Sequence, residues 1–182
     1  VFFAYPVAAI ISRGLRPAGS WDLDVVLDVV GESSTWKVVW FTTWQAVAST
    51  TATLVVALPA AWCFARLDFA GKRVVWAMLV VPFVLPTVVV GSAILGLVGP
   101  GSPVGVDLRS TIWAILLAHV FFNYAVVVRT VGAVWANLDA SLESTARTLG
   151  AGAWRVFRTV SWHAIRPAVA AATSIVFLFT FT

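Results

Sequence analysis

The sequence predicts an all-α, polytopic bundle of membrane-spanning helices. Three observations carry that expectation. Of 182 residues, 60% are hydrophobic and only 11% charged, whereas a soluble domain of this size carries about a quarter charged. The apolar residues are gathered into runs near the ~20 residues that a helix needs to cross ~30 Å of hydrocarbon. Those runs lack the alternating pattern of about ten residues that marks a membrane barrel, and in lipid only helices and closed barrels satisfy every backbone group.

Five segments follow in chain order. Val1 to Ser12 is too short to span alone but suffices as the tail of a truncated helix. Val38 to Ala65 is uncharged between Lys37 and Arg66 and is ample for one tilted helix. Val74 to about Val98 is the third, closed by the turn-rich Gly99 to Gly105, and Pro82 and Pro86 are expected to break or kink it. Irregular backbone inside a bundle also borders solute pathways, which makes these two prolines pathway candidates. Ser110 to Val128, between Arg109 and Arg129, is the fourth, and Pro167 opens a fifth that ends with the sequence at Thr182. The chain starts without methionine inside one apolar run and stops inside another, so residues 1–182 are expected to be a fragment of one transmembrane domain.

Basic residues set the orientation. If the first segment exits outward, the outer loops hold Arg13, Arg16, Lys37 and Arg109. The inner ones hold Arg66, Lys72, Arg73, Arg129, Arg147, Arg155, Arg158 and Arg166, twice as many. The positive-inside rule then puts the long polar stretch near the C-terminus in the cytoplasm. A net charge of +4 is thereby read as topology, not as a nucleic-acid surface. Trp36, Trp40 and Trp44 recur every four residues and are expected to anchor one helix face at the outer boundary.

That polar stretch, Asn137 to Pro167, is the most informative part of the chain. Leu138, Leu142, Ala146 (or Thr145) and Leu149 have the three-and-four spacing of a short amphipathic helix, with Asn137 or Asp139 able to cap it. Gly150 and Gly152 offer a corner. A second short helix is expected to place Trp154, Phe157, Val160 and Ala164 on one face, with Arg155, Arg158 and Arg166 elsewhere around it. On physical grounds alone this is a helical hairpin that either binds a partner or lies on anionic lipid headgroups.

Within the spans, His119 and Asn123 lie four apart on one helix face. Interhelical hydrogen bonding is the plain reading, and lining of a solute path the sharper one. The serines and threonines of Thr42 to Thr53 are expected to bond back to helix carbonyls or to pack at helix contacts. Chemistry finds no support. The one cysteine, Cys63, excludes an intramolecular disulfide and a cysteine metal cluster, and the two histidines lie far apart. Gly71-Lys72-Arg73 lacks the upstream glycine and the hydroxyl of a phosphate loop. No catalytic residue, metal or cofactor is expected. An ion-coupled secondary transporter is the alternative, weakened because the four longer segments carry no acid.

The run LESTARTLGAGAWRVFRTVSWHAIRP resembles the cytoplasmic loop of the permease subunits of binding-protein-dependent ABC importers. In that family Glu-Ala-Ala, three residues and Gly precede an apolar-Pro pair. Here Ser144, Thr145 and Ala146 stand at the Glu-Ala-Ala positions, Gly150 at the glycine, and Val160 to His163 at the apolar-Pro end. LDFAGKR, VPFVLPTVVVG and LLAHVFFNYAVVVRTV are similar to earlier parts of the same permeases, above all the two-lobed thiamine and iron(III) type. The resemblance implies a multi-pass protein of the bacterial inner membrane whose loop seats on a cytoplasmic ATPase dimer. It further implies an extracytoplasmic solute-binding protein, docking on Ser20 to Ser34 and the Gly99 to Asp107 turn, and a second permease lobe. Leu149, Gly150 and Trp154 would shape the ATPase contact, Ala146 would pack closely, and Arg147 and Arg158 would form its polar rim. Two departures stand out: Ser144 replaces the family's glutamate, with Glu143 about 100° away round the helix, and His163 replaces its proline.

Overall fold

An apolar run in lipid has no water to satisfy its amides, so it bonds to itself as helix. The computed structural model describes residues 4–16, 24–79, 81–102, 105 and 107–181. The chain divides into two units, Val1–Thr43 and Trp44–Thr182.

The first unit contains α1 (Ala4–Gly14), α2 (Asp24–Gly31) and the opening turns of α3 (Ser33–Arg66). α1 buries none of its residues. At the end of α2, where a helix leaves carbonyls unpaired, the Trp36 indole N–H donates to Val30 O at 2.8 Å. The expected binding-protein surface from Ser20 to Ser34 is therefore helix from Asp24, not open loop, and its residues 20–23 lie outside the described residues. Trp36, Trp40 and Trp44 are all exposed.

The second unit holds the rest of α3 together with α4 (Lys72–Met78), α5 (Val81–Val84), α6 (Thr87–Leu97), α7 (Ile112–Ala136), α8 (Ala140–Thr148) and α9 (Ala153–Phe181). α3, α7 and α9 are long and apolar enough to cross a membrane. The packing of α3 inverts the rule for soluble proteins. α3 buries Gln45, Ala46, Ser49, Thr50, Thr53, Ala57 and Ala61, a stripe with three-and-four spacing, while Val47, Val55, Val56 and Trp62 point outward. Small and hydroxylic residues inside, bulky apolar residues outside, is the pattern of helices associating in lipid.

The core joins Ala57 and Ala61 of α3 to Ala125, Val128 and Val131 of α7 and to Ile165, Ala168, Ala172 and Val176 of α9. α3 and α7 meet at Gly132, where a Cβ would lie 3.6 Å from Ala61 O. Nearer the other end, Thr180 Oγ1 lies 3.3 Å from Thr50 Oγ1, a polar tie between α3 and α9. Thr43, Thr51 and Thr53 bond back to carbonyls four residues earlier, as expected of hydroxyls in a span.

One segment meets the sequence expectation of a break and one differs. The run from Val74 to Val98 is divided among α4, α5 and α6. Pro86 is the cause of the second break: with φ −57° and ψ 133° it stands as the extended residue that starts α6. The fifth segment does not begin at Pro167, which lies inside α9. α9 instead starts at Ala153 and contains a π-helical turn over Phe157–Ser161, in which the Trp162 N–H bonds to Phe157 O. Buried Val156 and buried Ser161 are five apart, and only the extra residue of a π turn keeps both on the face that continues through Ile165 and Ala168. The expected face of Trp154, Phe157, Val160 and Ala164 assumed an unbroken α period. In the structure Trp154 is exposed and the other three are only half-buried.

Candidate functional site

The polar stretch turns on α8. Asp139 caps it: its Oδ1 accepts from the Ser141 amide at 2.8 Å, and the Ser141 side chain, together with that amide, holds the Asp139 carboxyl below the usual carboxylate range. A depressed folded pKa means that the cap's contribution is fully present above the unfolded carboxylate pKa and is lost as pH falls through the lower folded value. Hydrogen exchange at the Ser141 amide, corrected for intrinsic rate, should therefore accelerate only at the acid end of the carboxylate range, and in Asp139→Ala it should be fast at every pH.

The other end of α8 closes as a Schellman motif. The Gly150 amide bonds to Arg147 O at 2.9 Å and the Ala151 amide to Ala146 O at 3.0 Å, with Gly150 at φ +83°. That left-handed conformation is the one L side chains resist, which is why glycine stands there. The chain then reverses into α9.

The apolar side chains of this corner do not face the bundle. Leu142 is 57% exposed, Leu149 83% and Trp154 71%. Leu142 and Leu149, seven residues apart, share one helix face. Ser144, Thr145, Arg147 and Arg158 are exposed too, and Ala146 is half-buried. The Ser144 hydroxyl donates back to Ser141 O at 2.9 Å.

Glu143 faces inward. Its Oε1 accepts from Arg66 Nη2 at 2.7 Å and from Ser161 Oγ at 2.8 Å, so one carboxylate oxygen meets α3, α8 and α9. Sequence reading missed this group, since Glu143 was considered only as a displaced loop glutamate. The available signal was a lone acid opposite the one arginine that ends α3. Beside it Trp135, Trp154 and Trp162 surround Phe157, the first two stacked with centroids at 6.1 Å and 5.5 Å.

Inside the spans, His119 meets α3. Gln45 Nε2 lies 2.8 Å and Ser49 Oγ 3.0 Å from His119 Nδ1, and Asn123 Nδ2 donates to His119 O at 3.0 Å. Gln45 donating to Nδ1 leaves the ring proton on Nε2. His119 and Asn123 line a cavity of about 440 Å³ with Thr87, Gly91, Ala118, Phe122 and Phe179. Pro82 and Pro86 are not among its lining residues; Pro86 positions Thr87, which is. On the far side of α6, the Asp107 carboxylate accepts from the Arg109 amide and guanidinium at 3.1 Å, and these bonds lower its pKa. Residues 103, 104 and 106 of that turn lie outside the described residues. Among the described residues no cluster of three metal-ligating side chains occurs.

Long apolar helices packed through small, hydroxylic and branched side chains, joined through a capped corner that exposes leucine and tryptophan, define a polytopic helical membrane protein. No protein-family model matches the chain. It is 30% identical over 159 residues to a thiamine transport system permease protein of Brucella suis, covering 81% of this chain and 29% of that protein. It is 34% identical over 134 residues to a molybdenum transport system permease protein of Haemophilus influenzae, covering 69% and 58%, and 35% identical over 116 residues to a sulfate transport system permease protein of Synechococcus elongatus, covering 60% and 40%. The chain thus spans between 29% and 58% of the length of these relatives. It belongs to the permease subunits of binding-protein-dependent ABC importers, a class of multi-pass inner-membrane proteins.

Proposed function

We propose that the chain forms part of the solute pathway of an ABC importer and is driven by a separate cytoplasmic ATPase dimer seated on α8, Gly150 and Trp154. One observation carries this reading: α8 turns Leu142 and Leu149 outward, beside an exposed Trp154, and spends its inward face on Glu143 and Ala146. A hairpin lying alone on the bundle would bury those leucines. Ser144, Thr145 and Ala146 place the docking helix, and Arg147 and Arg158 rim the contact. Glu143 is engaged within the chain, so it does not substitute for the family's glutamate at the ATPase. An extracytoplasmic solute-binding protein and a second lobe complete the complex.

His119 and Asn123 border the path, next to the break at Pro86, with Pro82 in the preceding α5. The solute is a small polar molecule of the kind named for the relatives, with thiamine retained from the sequence resemblance. Iron(III) is not among the solutes in the names of the three relatives above. Filling the cavity wall with Asn123→Phe should cut uptake about tenfold, the equivalent of ~1.4 kcal/mol on the barrier, with the ATPase still bound. His119→Ala should act differently, lowering stability by about 1–3 kcal/mol because Gln45 and Ser49 lose their shared partner. Uptake assays in proteoliposomes and thermal unfolding in detergent separate the two, and unchanged uptake by Asn123→Phe would remove this cavity from the path.

A further inference from the structure

We propose that Arg66, Glu143 and Ser161 are positioning residues: they form the strut through which movement of α8 reaches the spans. The inference rests on the permease reading above and adds to it the route of transmission.

α8 has nine residues, fewer than the roughly 12–15 that an isolated helix needs in water. Its leucines point away from the bundle, so apolar burial does little to fix it. The ion pair does more. Arg66 ends α3, where a cation suits the helix dipole. Its Nη2 reaches Glu143 Oε1 at 2.7 Å, and both side chains are largely screened from water, at 18% and 19% exposure. The second donor to the same oxygen is Ser161, only 4% exposed and the last residue of the π turn. That turn is what brings Ser161 onto the buried face, so the π geometry and the carboxylate are linked. Arg66 Nε is buried without a hydrogen-bond partner, and the guanidinium therefore relies on Glu143 for its placement. A push on the exposed Leu149 corner meets a single oxygen shared by α3 and α9, the two long helices that pack with α7.

The experiment uses the full-length permease with its ATPase in proteoliposomes. Arg66→Glu, Glu143→Arg, the two combined as a charge swap, and the milder Ser161→Ala are compared by solute uptake per ATP hydrolysed and by hydrogen exchange of the α8 amides. Each single charge variant should retain the ATPase but lose about tenfold in uptake per ATP, with α8 exchanging about tenfold faster, as expected when one partner of a shielded pair is removed. Ser161→Ala should show both effects more weakly. The swap should restore both readouts to within about threefold of wild type. Wild-type exchange in the single variants would overturn the strut itself. Exchange restored by the swap without restored uptake per ATP would overturn its role in transmission. A wild-type protein that binds no ATPase would instead overturn the permease reading, and the exchange data would still judge the strut.

Discussion

Gly150→Trp should abolish co-purification of the ATPase with the full-length protein while leaving its expression and its spans intact. The expectation follows from two properties of one position. The left-handed backbone at φ +83° costs any L residue about 1–2 kcal/mol, a local penalty on the cap of α8. Around Gly150, however, no heavy atom beyond its own chain neighbours lies within 4 Å of where a Cβ would stand, so an indole there starts into open space. Its bulk is felt only by a partner pressed onto the corner between Leu149 and Trp154. Gly150→Ala separates the two effects, because it carries the backbone strain without the bulk. The alanine variant should retain most of the ATPase and the tryptophan variant less than about a tenth, a difference of at least ~1.4 kcal/mol in binding. Equal loss in both would assign the effect to the turn and not to a docked surface.

The second large effect is expected at the α3–α7 contact. A Cβ on Gly132 would sit 3.6 to 3.9 Å from the Ala61 backbone and methyl, which is ordinary van der Waals contact. Gly132→Ala should therefore be accepted, and relief of glycine's entropy should stabilise the helix by roughly 0.5–1 kcal/mol. Gly132→Leu has no such room. With Ala61 and Val131 fully buried beside it, the added carbons force the helices apart at a cost of about 1–3 kcal/mol. Detergent unfolding of the three proteins should give melting temperatures in the order alanine, glycine, leucine. A leucine variant as stable as wild type would show that this contact is not close-packed in the folded protein.

What was legible in the sequence followed from composition and from residues with one strong preference. Lipid leaves an apolar run little choice but helix, so the class was readable from hydropathy. Pro86 cannot donate an amide and Gly150 can take positive φ, so the break before α6 and the corner after α8 were readable from single residues. What was not legible depended on partners distant in sequence. The face of α9 was misassigned because a π turn shifts the period, and nothing in FRTVS announces one. The inward turn of Glu143 was not readable, because the spacing of Leu138, Leu142 and Leu149 marks an apolar face without saying which way it points. On α8 they point outward and the carboxylate points in, a reversal that needs Arg66, 77 residues away in sequence, to make sense. The pairing of His119 with Gln45 and Ser49 is equally nonlocal, although the tie of His119 to Asn123 by helical spacing was visible.

In the proposed complex an ATPase covers the Leu149 corner. The direct measurement places a photo-crosslinking residue at position 149 of the full-length protein in native membranes, with position 95 on the apolar α6, where Leu95 is exposed, as the control. Illumination should yield an adduct with the ATPase from position 149 and only lipid adducts from position 95. Lipid adducts from both positions, with no ATPase at 149, would contradict the claim and leave the corner as a helical hairpin resting on the membrane surface.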